Sequence, residues 1–212
     1  MYFVKTPWWL RSLYPLLTWR IPVTDKVIYL SFDDGPHEQA TVFALDQLQQ
    51  FNAKATFFCI GKNVQAYPGI YERIWREGHR VGNHTQNHLN GWKTSDQEYL
   101  KDIEAADRVI PTGLFRPPYG RIRRSQVRQL LAEKKQRQIV MWDVLSGDFD
   151  TGISPALCLQ RVLRNTQSGS VIVMHDSTKA WERMSYALPR MLEYFTEAGY
   201  RFEVIPDNKQ RV

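Results

Sequence analysis

Short apolar runs recur along this chain with amphipathic segments between them, and several of the runs end in a carboxylate or an imidazole. The runs at 27–32, 53–60, 80–83, 114–116, 138–144, 170–174 and 201–205 read as strands. Helical spacing fills the gaps over 38–51, in a segment stopped by Glu77-Gly78, after Ser95, and over 123–135, 154–167 and 181–198. Ser95 with Glu98 three residues on is a capping-box pattern. About seven strands joined by helical crossovers predict a parallel α/β fold with right-handed connections. A closed or nearly closed barrel suits the pattern better than an open sheet. The chemically loaded residues fall at the C-terminal ends of strands, where barrel enzymes build their sites.

At 212 residues and 24.9 kDa the chain suits one domain, and 43% hydrophobic with 24% charged residues describes an ordinary globular protein. No run approaches the roughly 20 apolar residues of a membrane helix. Arg11 and Pro15 interrupt the N-terminal apolar runs and no small-residue cleavage site follows, so the expected location is cytoplasmic or peripheral to a membrane. Cys59 and Cys158 sit in apolar stretches and read as free buried thiols. A monomer is expected.

The net charge of +6 favours anionic surroundings without naming one. Seven basic residues lie between Arg121 and Arg137 against one acid, Glu133. Val127, Leu130 and Leu131 keep helical spacing there, which turns Arg124, Arg128 and Lys135 outward as a solvated face or a grip on an anionic polymer. With no aromatic platform beside it, the segment does not predict nucleic-acid binding. Residues 1–25 form a separate N-terminal segment, ahead of a catalytic domain over 26–212. It holds six aromatics, Tyr2, Phe3, Trp8, Trp9, Tyr14 and Trp19, and three prolines. It reads either as a strap packed across the barrel or as an interfacial membrane anchor that does not cross the bilayer.

His84 and His88 are four apart, so on a helical turn both imidazoles would point the same way. Asp34, ending another strand, supplies an oxygen. Two nitrogens and one carboxylate leave an open position for water, the arrangement of a catalytic zinc site. Zn²⁺ suits these donors best, and Co²⁺, Ni²⁺ or Mn²⁺ could use the same ligands. His37 at a helix start and His79 after a helix-ending glycine are expected to be structural.

Ser31-Phe32-Asp33-Asp34-Gly35-Pro36, His84-Thr85-Gln86-Asn87-His88 and Arg116-Pro117-Pro118-Tyr119-Gly120 resemble, in order, the first three motifs of the polysaccharide deacetylase family, the NodB-homology or carbohydrate esterase 4 group. The resemblance runs from about Val27 to Ile205. It implies a distorted barrel of seven or eight β/α units that removes acetyl groups from N- or O-acetylated sugars. It further implies Asp33 as general base, Asp34, His84 and His88 as metal ligands, Arg116 as the group orienting Asp33, and His175 as general acid. The Tyr119 backbone N–H would serve the oxyanion, and Trp142, Phe149 and Val173 would complete the substrate contacts.

The fourth motif departs from the family's W-D-V-D-S-x-D-W, reading Trp142-Asp143-Val144-Leu145-Ser146-Gly147-Asp148-Phe149. Leu145 stands where the resemblance expects the carboxylate supporting the acidic histidine, Phe149 replaces a Trp, and Val173 replaces a Leu in the fifth motif. Asp143 shares the strand face of position 145, whereas Asp148 has the opposite parity and needs a bulge at Gly147. Either aspartate is therefore a candidate partner for His175. The implied function is metal-dependent removal of N-acetyl groups from amino-sugar glycans such as peptidoglycan or chitin-like oligosaccharides. O-deacetylation, cleavage of a non-sugar amide, and a metal-retaining glycan-binding protein with impaired catalysis are the alternatives.

Overall fold

The computed structural model describes residues 2–132 and 137–207. Helix α1 (Trp8–Leu13) lies in an N-terminal strap ahead of strand β1 (Val27–Asp33). There follow α2 (Ala40–Gln50), β2 (Ala55–Cys59), α3 (Gly61–Ala66), α4 (Pro68–Arg76), β3 (Arg80–Asn83) and α5 (Asp96–Asp107). The second half holds β4 (Leu114–Phe115), α6 (Arg124–Ala132), β5 (Gln138–Ile139), β6 (Val144–Leu145), α7 (Pro155–Asn165), β7 (Val171–His175), α8 (Trp181–Glu197) and β8 (Arg201–Phe202).

The sheet is parallel and curled, in the order β5-β4-β3-β2-β1-β7-β6. All seven residues of β1 are buried, which explains its unbroken apolar run: helices cover one face and the barrel interior the other. Ile28, Leu30 and Phe32 are fully buried, each stabilising the fold by roughly 1.5–3 kcal/mol, and Phe32 stacks on Phe57 of β2 at 5.0 Å. Strand β8 pairs with the start of β1, and Phe202 also accepts from the Lys54 N–H at 3.1 Å, so it wedges between the beginnings of β1 and β2.

The single strand expected over 138–144 is two short strands at opposite ends of the sheet. β5 pairs with β4, whereas β6 pairs with β7. The four residues between them bend across the opening, so one stretch of chain spans the seam of the barrel. A side chain occupies that seam: the buried Arg116 donates to the carbonyls of Val140 (3.1 Å) and Met141 (3.0 Å).

The N-terminal segment pairs along this seam. Thr18 N–H donates to Ile139 O at 2.8 Å and Met141 N–H to Thr18 O at 2.7 Å. Thr6 N–H donates to Asp143 O (2.9 Å), and Leu145 N–H to Val4 O (2.8 Å). Trp19 and Leu17 are buried against Ile139 and Met141, while Trp8 and Trp9 stand exposed.

The helix expected before Gly78 is two, α3 and α4, because Pro68 starts a new helix at its first turn. Ser95 accepts from the Glu98 N–H and Ser154 from the Leu157 N–H, capping α5 and α7. Arg124 and Arg128 are exposed on α6 as expected, while Lys135 and the last residues of the helix expected to 135 lie outside the described residues. Cys59 and Cys158 are free and buried. No helix among the described residues is long and apolar enough to cross a membrane.

The strap is fixed by one buried carboxylate. Asp143 accepts from Lys5 Nζ at 2.6 Å and Ser170 Oγ at 2.7 Å, with Arg11 Nη1 3.8 Å away. Lys5→Met leaves Asp143 buried beside a distant arginine, and should cost about 2 kcal/mol in urea unfolding. Lys5→Arg, which keeps the charge, should lose less than half of that.

Candidate active site

Strand β1 ends in Asp33-Asp34, and Asp34 takes the left-handed backbone (φ 86°), uncommon for a residue with a side chain. The turn is held by groups beyond the pair. Asn63 Nδ2 donates to Asp34 O at 2.7 Å, and Asp176, after β7, accepts from Gly35 N–H at 3.0 Å. A Cβ on Gly35 would lie 2.1 Å from the Asp176 carboxylate, so the position requires glycine. Thr41 Oγ1 donates to the other Asp176 oxygen at 2.5 Å. Burial and the nearby Asp34 charge raise the Asp176 pKa to about 8, against these hydrogen bonds.

His84 and His88 are brought together, though not by the expected helical turn. Residues 84–88 form an irregular loop after β3, with Thr85 (φ 64°) and His88 (φ 59°) both left-handed. Asp102 on α5 holds that loop open: its Oδ2 accepts from the N–H groups of Gln86 and Asn87, each at 3.0 Å, and its Oδ1 from Asn87 Nδ2 at 2.6 Å. The imidazole centroids lie 5.1 Å apart.

Asp34, His84 and His88 each offer one ligand atom, all within 4.8 Å of one another, and form a candidate metal centre. His84 Nδ1 donates to Arg116 O at 2.8 Å, leaving Nε2 to face Asp34 Oδ1 at 3.7 Å. His88 Nε2 stands 3.1 Å from the same oxygen. That oxygen is buried without a well-aligned hydrogen bond, as expected of a donor aimed at a shared cation. Burial lowers the His84 pKa to about 4 despite the nearby Asp33, which keeps its ring neutral and able to ligate. Burial opposes ionisation of Asp34, but the hydrogen bond with His88 and the charge of His175 outweigh it and hold the carboxyl well below its usual range.

Asp33 is paired with Arg116, whose Nη1 donates to Asp33 Oδ1 at 2.7 Å and to Ser31 Oγ at 2.8 Å. The guanidinium is fully buried and lies over the Phe58 ring at 4.0 Å. Burial lowers its pKa and Asp33 opposes that shift. Strands β1 and β7 place Asp33 in register with His175, so the two flank the Asp34 side of the cavity.

The partner of His175 is Asp148. Asp148 Oδ1 is 2.7 Å from His175 Nδ1, and Oδ2 accepts the His175 backbone N–H at 2.6 Å. Gly147, at φ 79°, makes the turn that brings this residue of the wrong parity inward. Asp143, the other candidate, makes no such contact: its carboxylate is tied to Lys5 and Ser170 beneath the strap. Leu145 lines an apolar hollow with Phe3, Leu10 and Trp142. Burial lowers the His175 pKa, but the Asp148 charge and hydrogen bond, helped by Asp34 and Asp33, raise it to about 10.

Aromatic groups wall the cavity. Phe149 meets the His175 ring edge-on at 5.2 Å, and Tyr2 of the strap packs on Phe149 at 5.2 Å. Tyr119, left-handed at φ 60° and exposed, packs at a tilt against His88, ring centroids 4.6 Å apart. Gly120 lies against Trp142, and Val173 is buried in β7. His37 accepts from the N–H groups of Gln39 and Ala40 at the start of α2, and His79 from Ala55 N–H, so both serve the scaffold. Sequence reasoning missed Asp102, Asp176 and Tyr2. Asp176 closes the fifth segment beside His175, which was a signal, whereas a lone acid on a helix such as Asp102 gave none.

Two histidines and an aspartate stand beside a paired Asp–Arg and a paired His–Asp at the C-terminal ends of a curled parallel sheet, a candidate hydrolase site. Residues 20–139 match the polysaccharide deacetylase family. A peptidoglycan-N-acetylglucosamine deacetylase of Bacillus cereus is 33% identical over 198 residues, 90% of this chain and 92% of that protein. The peptidoglycan-N-acetylmuramic acid deacetylase PdaC of Bacillus subtilis is 32% identical over 85% of this chain and 38% of its own length. Among solved structures, the Bc1960 peptidoglycan N-acetylglucosamine deacetylase in complex with 4-naphthalen-1-yl-N-oxidanyl-benzamide superposes with a TM-score of 0.85 at 32% identity, covering 95% of both chains. A carbohydrate esterase 4 pseudoenzyme of Bacillus anthracis superposes at 0.77 with 26% identity, covering 88% of this chain and 66% of that one. The chain belongs to the polysaccharide deacetylase family, and it is a deacetylase.

Asp148→Asn removes the largest influence that raises the His175 pKa. An NMR titration should find that pKa lower by more than a full unit. The pairing stabilises the fold fully below about 6.5, the ordinary histidine value, and is lost as pH rises through about 10. The variant's stability deficit should therefore be largest in acid to neutral solution and shrink toward pH 10. Asp102→Ala releases the loop carrying both histidines and should weaken divalent-metal binding roughly 10–100-fold in a chelator competition.

Proposed function

We propose that this chain hydrolyses the N-acetyl amide of amino-sugar glycans of the peptidoglycan or chitin-like kind, releasing acetate and a free amine. The supporting observation is the placement of two differently paired groups around Asp34, His84 and His88: Asp33 on the buried Arg116, and His175 on Asp148. The names of the Bacillus relatives support the substrate class.

Asp34, His84 and His88 would hold a divalent cation, Zn²⁺ best fitting two nitrogens and a carboxylate, with Co²⁺, Ni²⁺ or Mn²⁺ able to use the same donors. Such a cation supplies a water acidified toward neutrality and a Lewis acid for the acetyl carbonyl. Asp33 accepts the proton of the attacking water, and Arg116 holds its carboxylate in place for that transfer. The Tyr119 N–H faces the oxyanion that forms at the carbonyl. His175, charged through its contact with Asp148, gives its proton to the departing nitrogen as the C–N bond breaks. Phe149, Trp142 and Val173 give the acetyl methyl an apolar wall.

With Asp148 beside His175, the leucine at 145 does not deprive the acid of its carboxylate, which weighs against the impaired-catalysis reading. The test is acetate release from N-acetylglucosamine oligomers, peptidoglycan fragments and O-acetylated xylan, with metal content measured on the same sample. Release is expected from the N-acetylated glycans, and Asp33→Asn should lower it by about 10²–10⁴-fold with metal content unchanged. Release from the xylan alone would assign an esterase. No release from a metal-loaded sample would assign a binding protein.

A further inference from the structure

The N-terminal segment carries a surface that neither the fold nor the site uses. Half of the exposed large hydrophobic side chains among the described residues, Phe3, Trp8, Trp9, Leu13 and Leu16, fall within its first 16 residues. Trp8 is 71% exposed and Leu16 66%. The packing needs of the strap are met by other residues: Leu10, Tyr14, Leu17 and Trp19 turn inward on the Ile139–Met141 cluster. No residue of α1 is buried, so its Trp-Trp-Leu-Arg-Ser-Leu sequence presents most of its apolar area to the outside.

The patch is continuous and its border is cationic. Phe3 meets Trp9 edge-on at 6.1 Å. Leu13 and Leu16 share a shallow groove with Arg124 and Arg128 of α6, and the Arg124 guanidinium lies over Tyr14 at 5.5 Å. Residues 1–24 and 121–132 contain no Asp or Glu; of the acids that touch them, Asp143 is buried under Lys5, Asp96 pairs with Arg123 and Asp150 accepts from Tyr2, and none meets Arg124 or Arg128 in an ion pair among the described residues. Indole and aliphatic side chains rimmed by exposed arginines match the headgroup region of a bilayer, with the indoles at the acyl boundary and the cations among anionic lipids. A second copy of the chain fits worse, because a two-fold contact would set arginines against arginines.

We propose that this face docks the protein on an anionic lipid bilayer without crossing it. Phe3, at one end of the patch, lines the apolar hollow that also holds Trp142 and Leu145.

Flotation of the full chain with phosphatidylglycerol-containing vesicles, and with pure phosphatidylcholine vesicles, tests this. Binding is expected to the anionic vesicles, with a blue shift of tryptophan fluorescence. Trp8→Ser combined with Trp9→Ser should weaken it roughly tenfold or more. Arg124→Gln with Arg128→Gln, both exposed and dispensable to the core, should weaken it to a similar degree and flatten its salt dependence. Acetate release from a soluble substrate should be unchanged in both variants. Wild-type protein that stays with the lipid-free fraction, or variants that float equally well, would overturn the proposal. So would sedimentation showing a dimer that the tryptophan variant dissolves while no vesicle binding occurs.

Discussion

A single buried guanidinium joins the parts of this molecule that matter. Arg116 leaves the end of β4, enters the barrel seam, and donates to Asp33, Ser31, Val140 and Met141. Its own carbonyl accepts from His84 Nδ1. One residue therefore fixes the Asp33 carboxylate, the tautomer of His84 in the candidate metal centre and the carbonyls at Val140 and Met141 where the chain crosses the seam. Placing a full charge where no water reaches costs several kcal/mol, and only a complete set of partners offsets it. The five donors of arginine in a fixed fork can be satisfied there; the single ammonium of lysine could not reach the same oxygens.

The seam also sets the role of the strap. β5 and β6 lie four residues apart on one stretch of chain and so cannot pair with each other, and the backbone groups of residues 139–145 need other partners. Val4, Thr6 and Thr18 supply them. The strap then reaches the acid side of the site through Tyr2, whose hydroxyl donates to Asp150 at 2.7 Å and accepts from Arg161 at 2.6 Å. A Cβ at Gly147 would come within 2.8 Å of that hydroxyl and 2.7 Å of Arg161, so the turn that delivers Asp148 is packed against the strap. Barrel closure and the setting of His175 depend on the same N-terminal residues.

Much of this was legible in the sequence, for a physical reason. Strands buried on both faces must be continuously apolar, so β1, β2 and β7 announce themselves. Their polar ends carry Asp33, Asp34 and His175, and the structure brings those three side chains to one region of the candidate site. The seam was not legible. Residues 138–144 have a strand's composition, and what divides them is non-local: the first part pairs with β4, the last with β7, and Arg116 bonds the carbonyls between. The loop of His84 and His88 was equally hidden. A spacing of four suggests a helix, yet Thr85 and His88 are left-handed and the loop is tied to Asp102 of another element, which local spacing cannot show.

The partner of His175 shows where period-two reasoning stops. Alternation along a strand favours Asp143, on the same face as Leu145, and it would be right if 143–148 stayed extended. The strand ends at Leu145 instead, and Gly147 reverses the chain in the left-handed region, so the parity of Asp148 no longer counts. Asp143 is then free for a different task, holding Lys5 and with it the strap. Two aspartates five residues apart thus divide their work by the turn between them: one keeps the barrel shut, the other keeps a proton on the histidine.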